Sequence, residues 1–337
     1  MKRSAIVAGL VLAMVLFGFG VYHAAAFLKA DRPMVHRPSE ISAPAVPGTL
    51  YLVQAGAIYR FQHGQFTQIT PESGWTQPSL SPDGHQMVAV QRHTNYSDLY
   101  LLNPSGKTIQ QLTSNSSERP ENNHWAFYPR FSPDGSVLFY DYDPKDPYNN
   151  FHIDLAIFAS TAGSSWHSSK QWTNPNDYSG GDVTPVPLRG GALIYTKFVI
   201  DDQYKLHSQI WMQSRAGSQG VALTPPELDC LQPALSPDLK QIAMVCTRGQ
   251  AQTAELDVAG FDAATSTAGP PTPLVQGELV ASPAFSPDGK SIAYLGPVTP
   301  GGAYQLWTVT TSTDHQVRDL TRDLGLDSAS APIWVAG

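Results

Sequence analysis

The chain has 337 residues, 42% hydrophobic and 15% charged, with a formal net charge of −7 and a pI near 5.7. An acidic balance without a dense Lys/Arg run excludes a nucleic-acid-binding footprint. The 27 Gly and 28 Pro, set against so few charges, fit a turn-rich β protein better than a helical or disordered one.

Residues 1–30 open with Lys2 and Arg3, then run without charge from Ser4 to Leu28. This reads as an N-terminal apolar helix acting as export signal or membrane anchor. Ala24–Ala26 resembles a small-residue cleavage site, yet the stretch is long enough to span a bilayer. Either way Lys2 and Arg3 stay inside and the remainder is extracytoplasmic, in the periplasm or at the cell surface, anchored or secreted. Residues 31–47 carry Pro33, Pro38, Pro44 and Pro47 and form an extended linker.

From residue 48 onward a motif recurs: QPSLSPDG from Gln77, YPRFSPDG from Tyr128, QPALSPD from Gln232 and SPAFSPDG from Ser282. Its serines, Ser81, Ser132, Ser236 and Ser286, are spaced by 51, 104 and 50 residues. The double interval predicts a degenerate copy near residue 185, and TPVPLRGGALIYTKF from Thr184 stands there, lacking S-P-D. Each motif reads as a short strand, a Pro-Asp-Gly turn and a second strand. Pro presets the first turn angle, Asp bonds the neighbouring backbone and Gly tolerates positive φ. In the unit from Gln77, SDLYLLNPSGKTIQQLT adds two more strands around a turn at Asn103–Gly106. Four antiparallel strands per repeat of about 50 residues describe a propeller blade.

The unit beginning at Gly48 lacks a first strand, and SAPIWVAG at the far end supplies it, because Pro332-Ile333-Trp334 matches Pro283-Ala284-Phe285. The expected fold over residues 48–337 is therefore an all-β, six-bladed β-propeller with N-/C-terminal strand closure, which removes open sheet edges. The two cysteines flank the SPDLK turn. With Ser236 opposite Lys240, Cys230 falls opposite Cys246, close enough for a disulfide whose oxidation export favours.

The motif, together with the blade endings QQLT (Leu112-Thr113) and RDLT (Leu320-Thr321), resembles the TolB-type propeller repeat of bacterial envelope proteins. The resemblance runs from Gly48 to the end. TolB carries an extra α/β domain before its propeller, whereas only the apolar segment and the linker precede this one, so a Tol–Pal role does not follow. Similar propellers precede the hydrolase domain of prolyl oligopeptidase-type enzymes. No G-x-S-x-G nucleophile elbow occurs here, and no hydrolase domain is expected after closure.

No H-E-x-x-H or C-x-x-C is present, and no metal or cofactor is expected. The acidic run DYDPKDPYNNFHID has oxygen ligands in alternation, but Lys145 and Pro147 interrupt any EF-hand form, so it reads as a polar loop. Loops after each second strand, and those between blades, share the face opposite the S-P-D-G turns. They are rich in blades two to four, gathering Arg92, His93, Asn95, Tyr96, Asn123, His124, Trp125, Asp141, Asp143, Tyr148, Asn149, Tyr178 and Asp182. Aromatics with amide and carboxylate neighbours suit glycan or peptide contacts. The expectation is a non-catalytic module binding a protein or glycan of the cell envelope. The alternative is an envelope lyase or hydrolase working in the propeller mouth, which requires paired carboxylates there.

Overall fold

A computed structural model of the protein describes residues 46–146, 148–149, 152–248 and 253–336. The expected apolar helix and most of the linker lie outside these residues. Among the described residues no helix is long and apolar enough to cross a membrane.

Six antiparallel sheets are arranged as blades. Their innermost strands are Ile333–Val335, Trp75–Leu80, Ala126–Phe131, Asp182–Pro187, Cys230–Leu235 and Ala281–Phe285 for blades one to six. Blade one is closed by the C-terminus: Val335 pairs Thr49, Trp334 pairs Leu50 and Ile333 pairs Tyr51. The other blades follow the chain outward, so blade two reads Trp75–Leu80, Met87–Arg92, Ser97–Leu102 and Thr108–Gln111. Blade five gains a small extra hairpin through Thr267–Ala268.

Second strands are apolar on both sides because both sides are buried. Along Met87–Arg92, Met87 and Ala89 pack toward blade one while Val88 and Val90 pack toward blade three. Ile242, Met244 and Cys246 face blade four, and Ala243 and Val245 face blade six. A period of two thus divides one strand between two cores. The described residues form six such cores, one at each blade interface.

Two sequence signatures acquire bonding roles. In the S-P-D turns each motif serine donates to the aspartate two residues on, at 2.5–2.7 Å. Its oxygen also accepts the N–H five residues on, at 2.9–3.0 Å. The Ser132 hydroxyl, followed by the Ser136 N–H, holds the Asp134 carboxyl down to about 2. The blade-ending threonines, Thr70, Thr113, Thr173, Thr224 and Thr321, each accept a third-strand N–H at 2.8–3.0 Å. In the Asn103–Gly106 turn, Gly106 has φ +85°, and a Cβ there would lie 1.8 Å from the Ile69 carbonyl oxygen of blade one. Only glycine fits.

A feature absent from the expected hairpins recurs in blades two to six. Gln77, Tyr128, Thr184, Gln232 and Ser282 have φ of 48–56°, each before a proline. At each, the innermost strand carries one extra residue, a β-bulge. The bulge corrects the register expected around the cysteines. Ser236 donates its N–H to Gln241, not Lys240, and Leu235 pairs Ile242. The extra residue then brings Cys230 opposite Cys246, where a buried disulfide joins them.

Candidate functional site

Each bulge exposes a backbone N–H toward the preceding blade, and a side chain of that neighbour accepts it. Ser330 Oγ takes Gln77 N–H at 2.8 Å, and Gln77 Oε1 takes Tyr128 N–H at 2.9 Å. Asp141 Oδ2 takes Thr184 N–H at 3.0 Å, Thr196 Oγ1 takes Gln232 N–H at 3.1 Å, and Gln232 Oε1 takes Ser282 N–H at 2.7 Å. This belt of inter-blade bonds runs around the axial channel, whose wall includes Tyr128, Thr184, Gln232 and Ser282.

The candidate residues on that face divide into three sets. In the first, Arg92 and His93 border a cleft of about 350 Å³ with Trp75, Phe127 and Asp327. His93 N–H donates to the Tyr96 carbonyl, closing the hairpin, and the two rings stack at 4.3 Å. Asn95 is exposed at the hairpin tip and its carbonyl accepts Asn123 Nδ2 at 3.3 Å.

In the second set the side chains are committed to the scaffold. Asn123 is buried and its Oδ1 accepts Ser117 N–H at 2.6 Å. His124 Nδ1 lies 2.8 Å from the Asp143 carbonyl, and its ring stacks on Tyr142. Trp125 stacks on Phe127. Asp141 and Asp182 are fully buried in the walls of blades three and four. Burial pushes the Asp141 carboxyl well above the usual range, opposed by the Thr184 N–H and by the Arg130 charge. Asp182 pairs with Lys197 Nζ at 2.9 Å, and burial raises its carboxyl too. Asn123, Asp141 and Asp182 are buried, because folding brings the two aspartates inside at strand ends rather than at loop tips, while His124 and Trp125 stay half-buried.

The third set combines exposed rings with the buried carboxylate of Asp143. Asp143, Tyr148 and Tyr178 meet Lys145, Asp146, His152, Asp154 and Asp177 around a cleft of about 470 Å³. Asp143 pairs with Lys145 Nζ at 2.9 Å. His152 sits between Asp146, 3.2 Å from Nδ1, and Asp154, 2.9 Å from Nε2. Asp154 also accepts the N–H groups of Tyr178 and Gly180 at 2.6 and 2.7 Å. Tyr178 lies flat on His152 at 4.0 Å and remains 66% exposed, and Tyr148 is 97% exposed. Asn149 is exposed beside them and donates its N–H to the Asp146 carbonyl at 3.3 Å. A similar clamp recurs in blade four, where His207 sits between Asp229 and Asp201 at 3.0 and 3.1 Å. Among the described residues no three His, Cys, Asp or Glu side chains form a metal-binding group.

Sequence reasoning passed over His152 and Arg130. His152 was signalled only by lying between Asp146 and Asp154 in one loop. Arg130 had a clearer signal. The position after the bulge proline holds Ser79, Val186, Ala234 and Ala284 in the other repeats and Ile333 at the C-terminus, so an arginine there is out of pattern.

The architecture defines an all-β, six-bladed propeller closed between its two ends. No known family profile and no curated protein matches the chain. Solved structures do. TolB from Acinetobacter baumannii superposes with a TM-score of 0.63 at 18% identity, covering 86% of this chain and 67% of that one. A protein described as TolB from Agrobacterium tumefaciens gives 0.54 at 14% identity, over 86% and 94%. A puromycin-hydrolyzing peptidase from Mycobacterium tuberculosis gives 0.50 at 16% identity, over 84% of this chain and 53% of that one. Such identities speak for the fold alone, and that fold is TolB-like.

Proposed function

We propose that the protein is a non-catalytic binding module on the extracytoplasmic side of a cell envelope, and that it takes a protein or glycan on the loop face of blades three and four. The observation that carries this reading is the cleft at Tyr148 and Tyr178. Two exposed rings and several carboxylates stand there, with Tyr148 N–H held by Asp146 and Tyr178 N–H held by Asp154. Rigid aromatics beside directed polar groups give contact area at low entropic cost, and loops on a rigid scaffold are where binding residues concentrate. The basic start and apolar run of residues 1–30 support an extracytoplasmic location. A lyase or hydrolase in the mouth would need two accessible carboxylates flanking its substrate. Asp141 and Asp182, buried in the wall, are engaged by Thr184 N–H and Lys197, and in the open cleft Asp143 is paired with Lys145 while Asp146 and Asp154 are held on His152, which favours binding over catalysis.

The test is co-purification from envelope extract with the wild type and with Tyr148→Ala/Tyr178→Asn. Asparagine is chosen at 178 because that residue has φ 60°. Loss of the captured ligand with unchanged melting is expected. Undiminished capture by the folded variant would place the site elsewhere.

A further inference from the structure

We infer that the axial channel contains a second site, a carboxylate-binding subsite built on Arg130. The channel encloses about 280 Å³, against ~30 Å³ for a water molecule in the liquid. Its wall is made by innermost strands, and Arg130 is the one charged side chain among the described residues lining it. No carboxylate of the described residues lies within ion-pairing distance of its guanidinium. Its two contacts are long ones from Nη1, to the Pro78 carbonyl at 3.4 Å and the Pro129 carbonyl at 3.2 Å. A guanidinium has five N–H donors, so most of its capacity is unused. A largely buried cation with no carboxylate in direct contact is costly, and an entering carboxylate satisfies it through two parallel hydrogen bonds.

The surroundings select an anion. Asp141 forms no ion pair with it: Oδ2 accepts Thr184 N–H, Oδ1 has no hydrogen-bond partner among the described residues, and burial disfavours the charge. Tyr128, also in the wall, has its phenol pushed up to about 12, chiefly by burial, and so remains a potential donor. Toward the S-P-D-G face the channel is collared by Leu80, Leu235, Phe285 and Trp334, at the ends of innermost strands or, for Trp334, within one. The ligand is therefore a carboxylate next to an apolar residue, either the C-terminus of a peptide or an acidic side chain within one. The site differs in residues and in chemistry from the tyrosine cleft, so either can fail without the other.

The experiment uses the full-length chain in mild detergent and three probes, followed by calorimetry. N-acetyl-leucyl-leucine offers only a C-terminal carboxylate, N-acetyl-leucyl-glutamate amide only a side-chain carboxylate, and N-acetyl-leucyl-glutamine amide neither. One acid probe should bind at least tenfold more tightly than the glutamine probe and thereby identify the source. Arg130→Gln should remove that preference, and Arg130→Lys should keep part of it. Arg130→Gln should also melt at or above the wild-type temperature, since it deletes a buried charge that no carboxylate contacts directly. Equal binding of all three probes, or an acid preference that survives Arg130→Gln, overturns the inference. Should Arg130→Gln fail to fold, the Arg130 Nε–H resonance of the wild type decides: a shift with an acid probe supports the site, and no shift refutes it.

Discussion

Ser330 joins the closing segment to the inter-blade belt, and Ser330→Ala isolates that junction. Ser330 is 2% exposed, and its hydroxyl accepts Gln77 N–H at 2.8 Å, lies 2.6 Å from Thr76 Oγ1 and donates to Asp327 Oδ2 at 2.9 Å. Alanine leaves Gln77 N–H buried without an acceptor, a cost of ~1–3 kcal/mol. Asp327 loses one donor but keeps Thr76 Oγ1 at 2.6 Å, so the remaining loss is about 0.5–1 kcal/mol. The total is about 1.5–4 kcal/mol, corresponding to a Tm drop of roughly 3–7 °C for a domain of this size. Urea unfolding followed by tryptophan fluorescence, beside the exposed control Ser116→Ala, measures it. The midpoint should fall with an unchanged slope. A loss below ~0.5 kcal/mol, within the range of ordinary surface substitutions, would mean that the Gln77 N–H has another partner and that the belt does not act as described.

Deleting residues 330–337 removes the strand paired with Thr49–Tyr51 and the belt contact together, and should yield aggregation or a non-cooperative melt; a truncated protein melting like the wild type would refute the closure. Asp83, Asp134, Asp238 and Asp288 are all depressed, first by their motif serine hydroxyls. Their folded-state values lie below the unfolded ones, so the stability they contribute is present above about pH 4 and lost as pH falls below it, down to about 2 for Asp134. Ser132→Ala should flatten part of that acid loss in pH-dependent unfolding. Asp141 has the opposite sign: its raised carboxyl costs stability as pH rises above the ordinary carboxylate range. Asp141→Asn, which keeps an acceptor for Thr184 N–H, should gain on the wild type between pH 4 and 7. Asp141→Ala should lose ~1–3 kcal/mol through the unpaired N–H.

The repeat, the turn residues and the closing strand were readable in the sequence because they are local. A Ser-Pro-Asp-Gly turn bonds within five residues, and alternating Met87-Val88-Ala89-Val90 declares a strand buried on both sides. The same pattern at Pro332-Ile333-Trp334 revealed closure, since one blade lacked that strand and one terminus held it. Loops carry no such period. Nothing in the order of residues separates Asp141, which ends inside a blade wall, from Tyr148, which ends in solvent. The bulge that adds a residue at Gln232, and so sets Cys230 against Cys246, follows from an N–H that only a neighbouring blade satisfies. Arg130 is likewise one more strand residue until six blades close around an axis. Closure then leaves its charge in a channel whose other walls are neutral, a circumstance created by packing between segments far apart in the chain.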